Sequence, residues 1–281
     1  MNAMDDTVDE PVDQPGDGPG DEPTDGLVEG PMDKDEVVRA WRAAEREPGA
    51  VLLDGFHALK HALRFGGDVR RMLTADRTAL RALAAELAGD VAPAVDALAV
   101  ELPQAVLRTL APRLHPTGVI ALAVRPSPEA NLAALAGRPR RAPVVLLENP
   151  RNLGNVGAVI RLAAGFGATG VVTTGDLDPW HPTVLRGSAG LHFATAVERL
   201  ALPQLPAGPL YVLDPEGADI RDLPFPDDAL LAFGTERHGV SAELKARADR
   251  LVAVPMQPGV SSFNLATSVA MGLFHWMSGK R

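Results

Sequence analysis

Five runs of consecutive apolar residues dominate the second half of the chain: VVLLEN (144–149), GVVTT (170–174), LYVLD (210–214), ALLAFG (229–234) and RLVAVP (250–255). A strand with one face in water alternates apolar and polar side chains. These runs do not alternate, so both faces must be covered, which is the condition of a parallel sheet with helices on either side. Helical spacing fills the gaps. Val156, Val159, Ile160, Ala163 and Ala164 mark the buried stripe of a helix at about 156–166, and Leu265, Val269, Leu273 and Trp276 that of a closing helix at about 263–277. The fold class is therefore α/β.

The first half repeats the rhythm on a smaller scale. Val37, Ala40, Trp41 and Ala44 recur at helical spacing, AVLLDG (50–55) reads as a buried strand, and Phe56, Leu59, Ala62 and Leu63 lie on one face of the next helix. VRRMLTA (69–75), a short segment near 97–101 and GVIALAV (118–124) read as strands, with helices through Leu80, Leu83 and Leu87 and at about 104–112. This describes a separate α/β domain over 36–125. Residues 126–142 are rich in proline and arginine and read as a linker, with phosphate contact by Arg138, Arg140 and Arg141 as the alternative. A second domain then occupies 143–281. No internal repeat is visible.

Residues 1–35 carry twelve acidic side chains against one lysine, together with five prolines and five glycines. Such a stretch buries too little apolar surface to offset its ordering entropy, and is expected to be a disordered acidic tail. The remaining 246 residues hold 24 acidic and 26 basic side chains, so the net charge of −9 does not exclude a nucleic-acid partner. Aromatics at 4% leave few side chains for base stacking. The absence of cysteine excludes a disulfide scaffold, a thiolate zinc site and cysteine nucleophiles, and fits a reducing compartment. With no apolar run near the ~18 residues of a membrane span and no basic and apolar leader at MNAMDDTVDE, a cytoplasmic protein without a membrane is expected.

GFGATG (165–170) matches the dinucleotide fingerprint letter for letter, the sole ground for an NAD-dependent oxidoreductase. It closes a helix and enters a strand, the reverse of the required context, so its glycines read as a helix cap and turn. Three other segments stand at the C-terminal ends of strands, where open α/β sheets place ligands. In ENPRNLGNVGAVIR (148–161), Asn155 stands just before the helix and suits an N-cap, while Arg161 lies about 140° around the helix from Val156, off the apolar face. In FGTERHGV (233–240), Gly234 and Gly239 suit a close backbone turn. In VPMQPGVSSFNLATSVAMGLFHW (254–276), Ser262 and Asn264 stand at the mouth of the closing helix, Ser262 as its candidate cap.

Together the three segments resemble the motifs of the SpoU/TrmH branch of the SPOUT RNA methyltransferases. Asn155, Gly157 and Arg161 match N-x-G-x-x-x-R; Gly234, Glu236, Gly239 and Val240 match G-x-E-x-x-G-aliphatic; Val254, Pro255, Met256, Ser262 and Asn264 match the third motif. Phe263 stands where the family has leucine, and Asn149 where aspartate is common. Residues 50–124 resemble, more weakly, the family's ribosomal-protein-like RNA-binding domain, and the likeness covers about 230 of 281 residues.

The resemblance implies a trefoil-knotted C-terminal domain, a homodimer, and methyl transfer from S-adenosylmethionine to a ribose 2′-hydroxyl of RNA. Ribosomal (23S) RNA comes first and tRNA second; an RNA-binding module that has lost catalysis is the alternative of another class. It implies cofactor contacts at Gly234, Val254, Met256 and Phe263, and no metal. Arg161 would hold phosphate and stabilise the developing alkoxide, since a guanidinium gives up its proton too reluctantly to serve readily as a base. Asn155 would orient ribose or phosphate, Glu236 would position Arg161 or the substrate, and Ser262 and Asn264 would hold RNA near the methyl group. His192 and His238 are spare candidates for a base.

Overall fold

The computed structural model describes residues 33–111, 113–235 and 238–280. All but the last three residues of the expected acidic tail lie outside this range, and Lys34 and Asp35 already belong to the first helix. The first half runs α1 (Lys34–Ala44), β1 (Ala50–Asp54), α2 (Phe56–Arg64), β2 (Asp68–Thr74), α3 (Arg77–Leu87), α4 (Ala92–Leu98), β3 (Ala99–Glu101), α5 (Gln104–Leu110) and β4 (Val119–Val124). Its sheet has the order β1-β4-β2-β3; β4 is antiparallel to both neighbours and β2 is parallel to β3.

Helix α6 (Pro128–Ala136) comes next, where a linker was expected. Ser127 caps it by accepting from the Ala130 N–H, Pro128 sits in its first turn, and Leu135 is fully buried. The proline content thus marked a helix start. Arg140 is also internal: it is 5% exposed, and its guanidinium donates to the carbonyls of Leu135 and Asp228, so it cannot meet phosphate. Arg138 pairs with Asp228 at 3.6 Å.

The second half comprises β5 (Val144–Leu147), α7 (Leu153–Phe166), β6 (Gly170–Thr173), α8 (Pro182–Gly187), β7 (Ala196–Arg199), β8 (Leu210–Asp219), β9 (Leu230–Phe233), α9 (Ala242–Ala246), β10 (Arg250–Ala253) and α10 (Leu265–Ser278). All six strands are parallel, in the order β10-β8-β9-β5-β6-β7. Every residue of β5, β6 and β9 is buried, as the unbroken apolar runs require. Each of Val144–Leu147 contributes roughly 1.5–3 kcal/mol by burial. The glycine-rich stretch after α7 is a helix end: Gly167, at φ 70°, is its left-handed cap.

One apolar cluster joins Leu53, Phe56 and Leu59 of the first half to Val145, Ile160 and Leu231 of the second. The joint is made by α8 and the 3-10 turn Leu191–Phe193 that follows it. A side chain on Gly157 would lie 2.7 Å from the Val184 carbonyl and 2.9 Å from the Gly187 Cα, so α7 and α8 meet backbone to backbone. Gly190, at φ 75°, likewise abuts Ala58 of α2. Arg186 of α8 pairs with Asp54 and donates to the Arg113 carbonyl at 2.6 Å, and the Nδ1–H of His61 donates to the Ala189 carbonyl at 2.8 Å. No helix among the described residues is long and apolar enough to cross a membrane.

Candidate active site

The C-terminal ends of β8, β9 and β10 enclose a cavity of about 480 Å³. Leu213, Phe233, Val252 and Leu265 give it an apolar floor, and Asp214, Lys245 and Ser262 its main polar groups. This size falls within the ~300–1,000 Å³ usual for small-molecule sites, as does the mixture of apolar surface with a few polar atoms. Six residues marked by the motifs line it: Gly234, Gly239, Val254, Met256, Ser262 and Phe263. They reach it from two separate loops, because parallel strands deliver their C-terminal ends to one edge of the sheet.

Gly234 is required by the chain's own geometry. Thr235 and Gly239 pair in both directions, at 2.9 and 3.1 Å, and fold the second motif back on itself. A Cβ on Gly234 would overlap the main chain of Gly239 and Val240. Glu236 lies outside the described residues. Phe263 is 40% exposed at the cavity mouth.

The first motif behaves differently from its sequence reading. Helix α7 starts earlier than expected, with Asn152 as N-cap accepting from the Asn155 N–H at 3.0 Å, so Asn155 lies inside the first turn. The cap of α10 is Asn264, not Ser262: its Oδ1 accepts from the N–H groups of Ala266 and Thr267. Its amide also donates to Asn155 Oδ1 at 3.2 Å, joining the first and third motifs across 109 residues. Neither asparagine lines the cavity, and neither does Arg161. Six residues along a helix turn Arg161 about 120° away from Asn155. Its exposed side chain shares instead the surroundings of His57 on α2, whose pKa is lowered first by burial and then by the neighbouring charges of Lys60, His115 and Arg161.

The two spare histidines stand in different settings. His192 is wholly buried; its Nε2–H donates to the Pro179 carbonyl and its Nδ1 faces Ser188 Oγ, each at 2.8 Å. Burial lowers its pKa to about 4. His238 belongs to the cavity wall. It also borders a second hollow of about 520 Å³ at the ends of β5 and β6, with Glu148, Asn149, Arg151 and Thr174. There Asn149 adopts φ 45°, its N–H donating to Thr174 Oγ1 at 2.9 Å.

Sequence reasoning passed over three acidic residues: Asp54, Glu148 and Asp214. Each directly follows an apolar strand run, and each is held nearly out of water by a specific partner: Asp54 by Arg186, Glu148 by the N–H and Oγ of Ser241 (2.7 and 2.5 Å), Asp214 by Lys245 (2.5 Å). An acid closing an apolar run was the legible signal. Among the described residues, no group of three or more His, Asp or Glu side chains is placed to hold a metal ion.

Residues 142–274 match the family model described as the SpoU rRNA methylase family. A 23S rRNA (uridine(2479)-2′-O)-methyltransferase of Streptomyces viridochromogenes is 28% identical over 247 residues, 80% of this chain and 82% of that protein. An uncharacterised tRNA/rRNA methyltransferase of Synechocystis sp. is 30% identical over 184 residues; the match spans 60% of this chain and 63% of that relative, under two thirds of its length. The AdoMet-bound rRNA methyltransferase of Sinorhizobium meliloti superposes with a TM-score of 0.67 at 22% identity, covering 87% of this chain and 94% of that one. The AdoMet complex of the SpoU methyltransferase AviRb from Streptomyces viridochromogenes gives 0.67 at 22%, covering 86% and 97%. The architecture is an α/β fold with a parallel sheet like that of the SPOUT methyltransferases.

Proposed function

We propose, from the match of residues 142–274 to the SpoU rRNA methylase family, that this chain is a member of that family and transfers a methyl group from S-adenosylmethionine to a ribose 2′-hydroxyl of RNA, ribosomal RNA first. The observation that carries this reading is the convergence of two separate motif loops on one cavity, with the Asn155–Asn264 hydrogen bond tying the third motif to the first. The backbone at Gly234, Val254 and Phe263, together with Met256, would hold the cofactor, which supplies an electrophilic methyl group when bound.

The chain's own residues bind and orient. Arg161 anchors a substrate phosphate and stabilises the negative charge that develops on the ribose oxygen, a role for a fixed cation more than for a base. Glu236 positions Arg161 or the substrate, and Asn155, Ser262 and Asn264 hold the RNA near the methyl group. RNA would lie along α2 and α7, where the cations Lys60 and Arg161 share one neighbourhood around His57, which gives the first half its role as an RNA-binding domain.

Within one chain Arg161 does not line the cavity, so the reading calls for a homodimer in which one protomer's Arg161 serves its partner's cavity. Helix α10 supports this: Phe274 is 59% and Met277 43% exposed on its outer side, an apolar stripe suited to a second copy. The order β10-β8-β9-β5, with α10 returning to pack on α7, supports the trefoil knot.

The test is to map 2′-O-methyl sites in RNA from cells with and without the gene, and to restore the missing site with purified protein and S-adenosylmethionine. A lost and restored site in 23S rRNA is the expected result. A site in tRNA changes the substrate. No change in any RNA, from a protein that binds RNA but no cofactor, would leave only a binding module.

A further inference from the structure

The cavity wall contains an ion pair that the three motifs do not explain. Strand β8 faces β10 with Val212 opposite Leu251 and then Ala218 opposite Val252, so residues 213–217 leave the ladder. Gly217 permits this excursion, since a Cβ there would overlap the main chain of Leu251 and Val252. The excursion carries Asp214 and Glu216 into the lining of the cavity. The Asp214 side chain is 5% exposed; one oxygen accepts the Glu216 N–H at 3.0 Å and the other meets Lys245 Nζ at 2.5 Å. Glu216, at the rim, is 83% exposed and lies 4.0 Å from the same ammonium.

Lys245 keeps 32% of its side chain in water, but taking the Asp214 carboxylate out of water is expensive, and an apolar side chain of similar size would hold the fold as well. Its placement on a cavity wall therefore points to a ligand. A carboxylate offers about four lone-pair directions, and the two contacts leave Asp214 with acceptor capacity to spare. Its charge is already matched by Lys245. What remains suits a neutral donor: the vicinal hydroxyls of a ribose fit, whereas an ammonium group would place a second cation beside Lys245.

We propose that Asp214, held in place by Lys245, receives the ribose hydroxyls of the cofactor's nucleoside, so that the cavity selects its ligand by the sugar and not by the methionine end. This rests on the methyltransferase reading above, and the test reads binding, not catalysis. Calorimetric titration of the full chain with S-adenosylhomocysteine, with methylthioadenosine (which lacks the amino-acid end) and with 2′-deoxy-methylthioadenosine separates the portions of the ligand.

Asp214→Asn should weaken the first two ligands by the same factor, roughly tenfold or more, and the 2′-deoxy ligand much less. Unmodified protein should itself bind the deoxy ligand roughly tenfold more weakly than its parent, a comparison that needs no variant to fold. A loss confined to S-adenosylhomocysteine would overturn the proposal by assigning the pair to the methionine end. Equal binding of parent and deoxy ligands would overturn it outright. If the unmodified protein binds none of the three, the methyltransferase reading falls and takes this one with it.

Discussion

The cavity at the ends of β8, β9 and β10 and the joint between α2, α7 and α8 differ in how they are built. The cavity is shaped largely by main chain: the turn closed by Thr235 and Gly239, the loop from Val254 to Phe263, and the excursion at 213–217. The joint is fixed by buried side chains and by two glycines, Gly157 and Gly190, whose missing Cβ atoms let backbones touch. Arg161 stands at the joint, beside His57, and not in the cavity. On the proposed reading, the cofactor cavity and the substrate-binding neighbourhood of Arg161 fall in different parts of one chain, so each can be disabled without the other.

Arg161→Ala gives the sharpest separation. Methyl transfer should fall by roughly 10²–10³-fold, while affinity for S-adenosylmethionine, read by titration calorimetry, stays within twofold. A parallel loss of cofactor affinity would merge the two regions into one. Arg161→Lys should recover part of the activity at most, since a point charge cannot replace the planar fork.

His192 tests whether the joint is as dry as its packing indicates. Its folded pKa of about 4 lies below the ordinary 6.5, so the folded state binds fewer protons than the unfolded chain between those values. Stability from this residue is fully present above pH 6.5 and declines as pH falls towards 4, by about 3 kcal/mol in total. Denaturant unfolding at a series of pH values measures that slope, and His192→Gln should flatten it. An unchanged slope would mean that water reaches the joint.

Gly157→Ala should destabilise by about 2 kcal/mol, because the methyl group must push α8 off α7. Thermal melting checks this. Cofactor affinity should hold in the fraction that stays folded, and a loss of affinity larger than the loss of stability would break the division between the two regions.

Much of the second half was legible. VVLL, GVVT and LLAF could only be strands covered on both faces, and they are the wholly buried β5, β6 and β9. β7 was missed because AVER is short and amphipathic at a sheet edge, where one face stays wet. Helix α6 was hidden by prolines that serve its start, and α8 by its six-residue length. Within the site, Gly234, Val254, Met256, Ser262 and Phe263 were named in advance and share the cavity, whereas the Asp214–Lys245 pair needed three dimensions. No local pattern announces that a parallel strand will jump register and carry an acid to a lysine 31 residues away.

What the sequence determined by itself is the class of fold and the identity of the loops, because an unbroken apolar run has few ways to bury both faces and a glycine at a strand end leaves a backbone opening. Tertiary structure decided which motif residues meet. Helical rotation sends Asn155 towards Asn264 and Arg161 towards His57, and packing of α8 on Gly157 holds that division in place. Spacing along a helix sets the angle between two side chains, but only the neighbouring elements determine what lies in each direction.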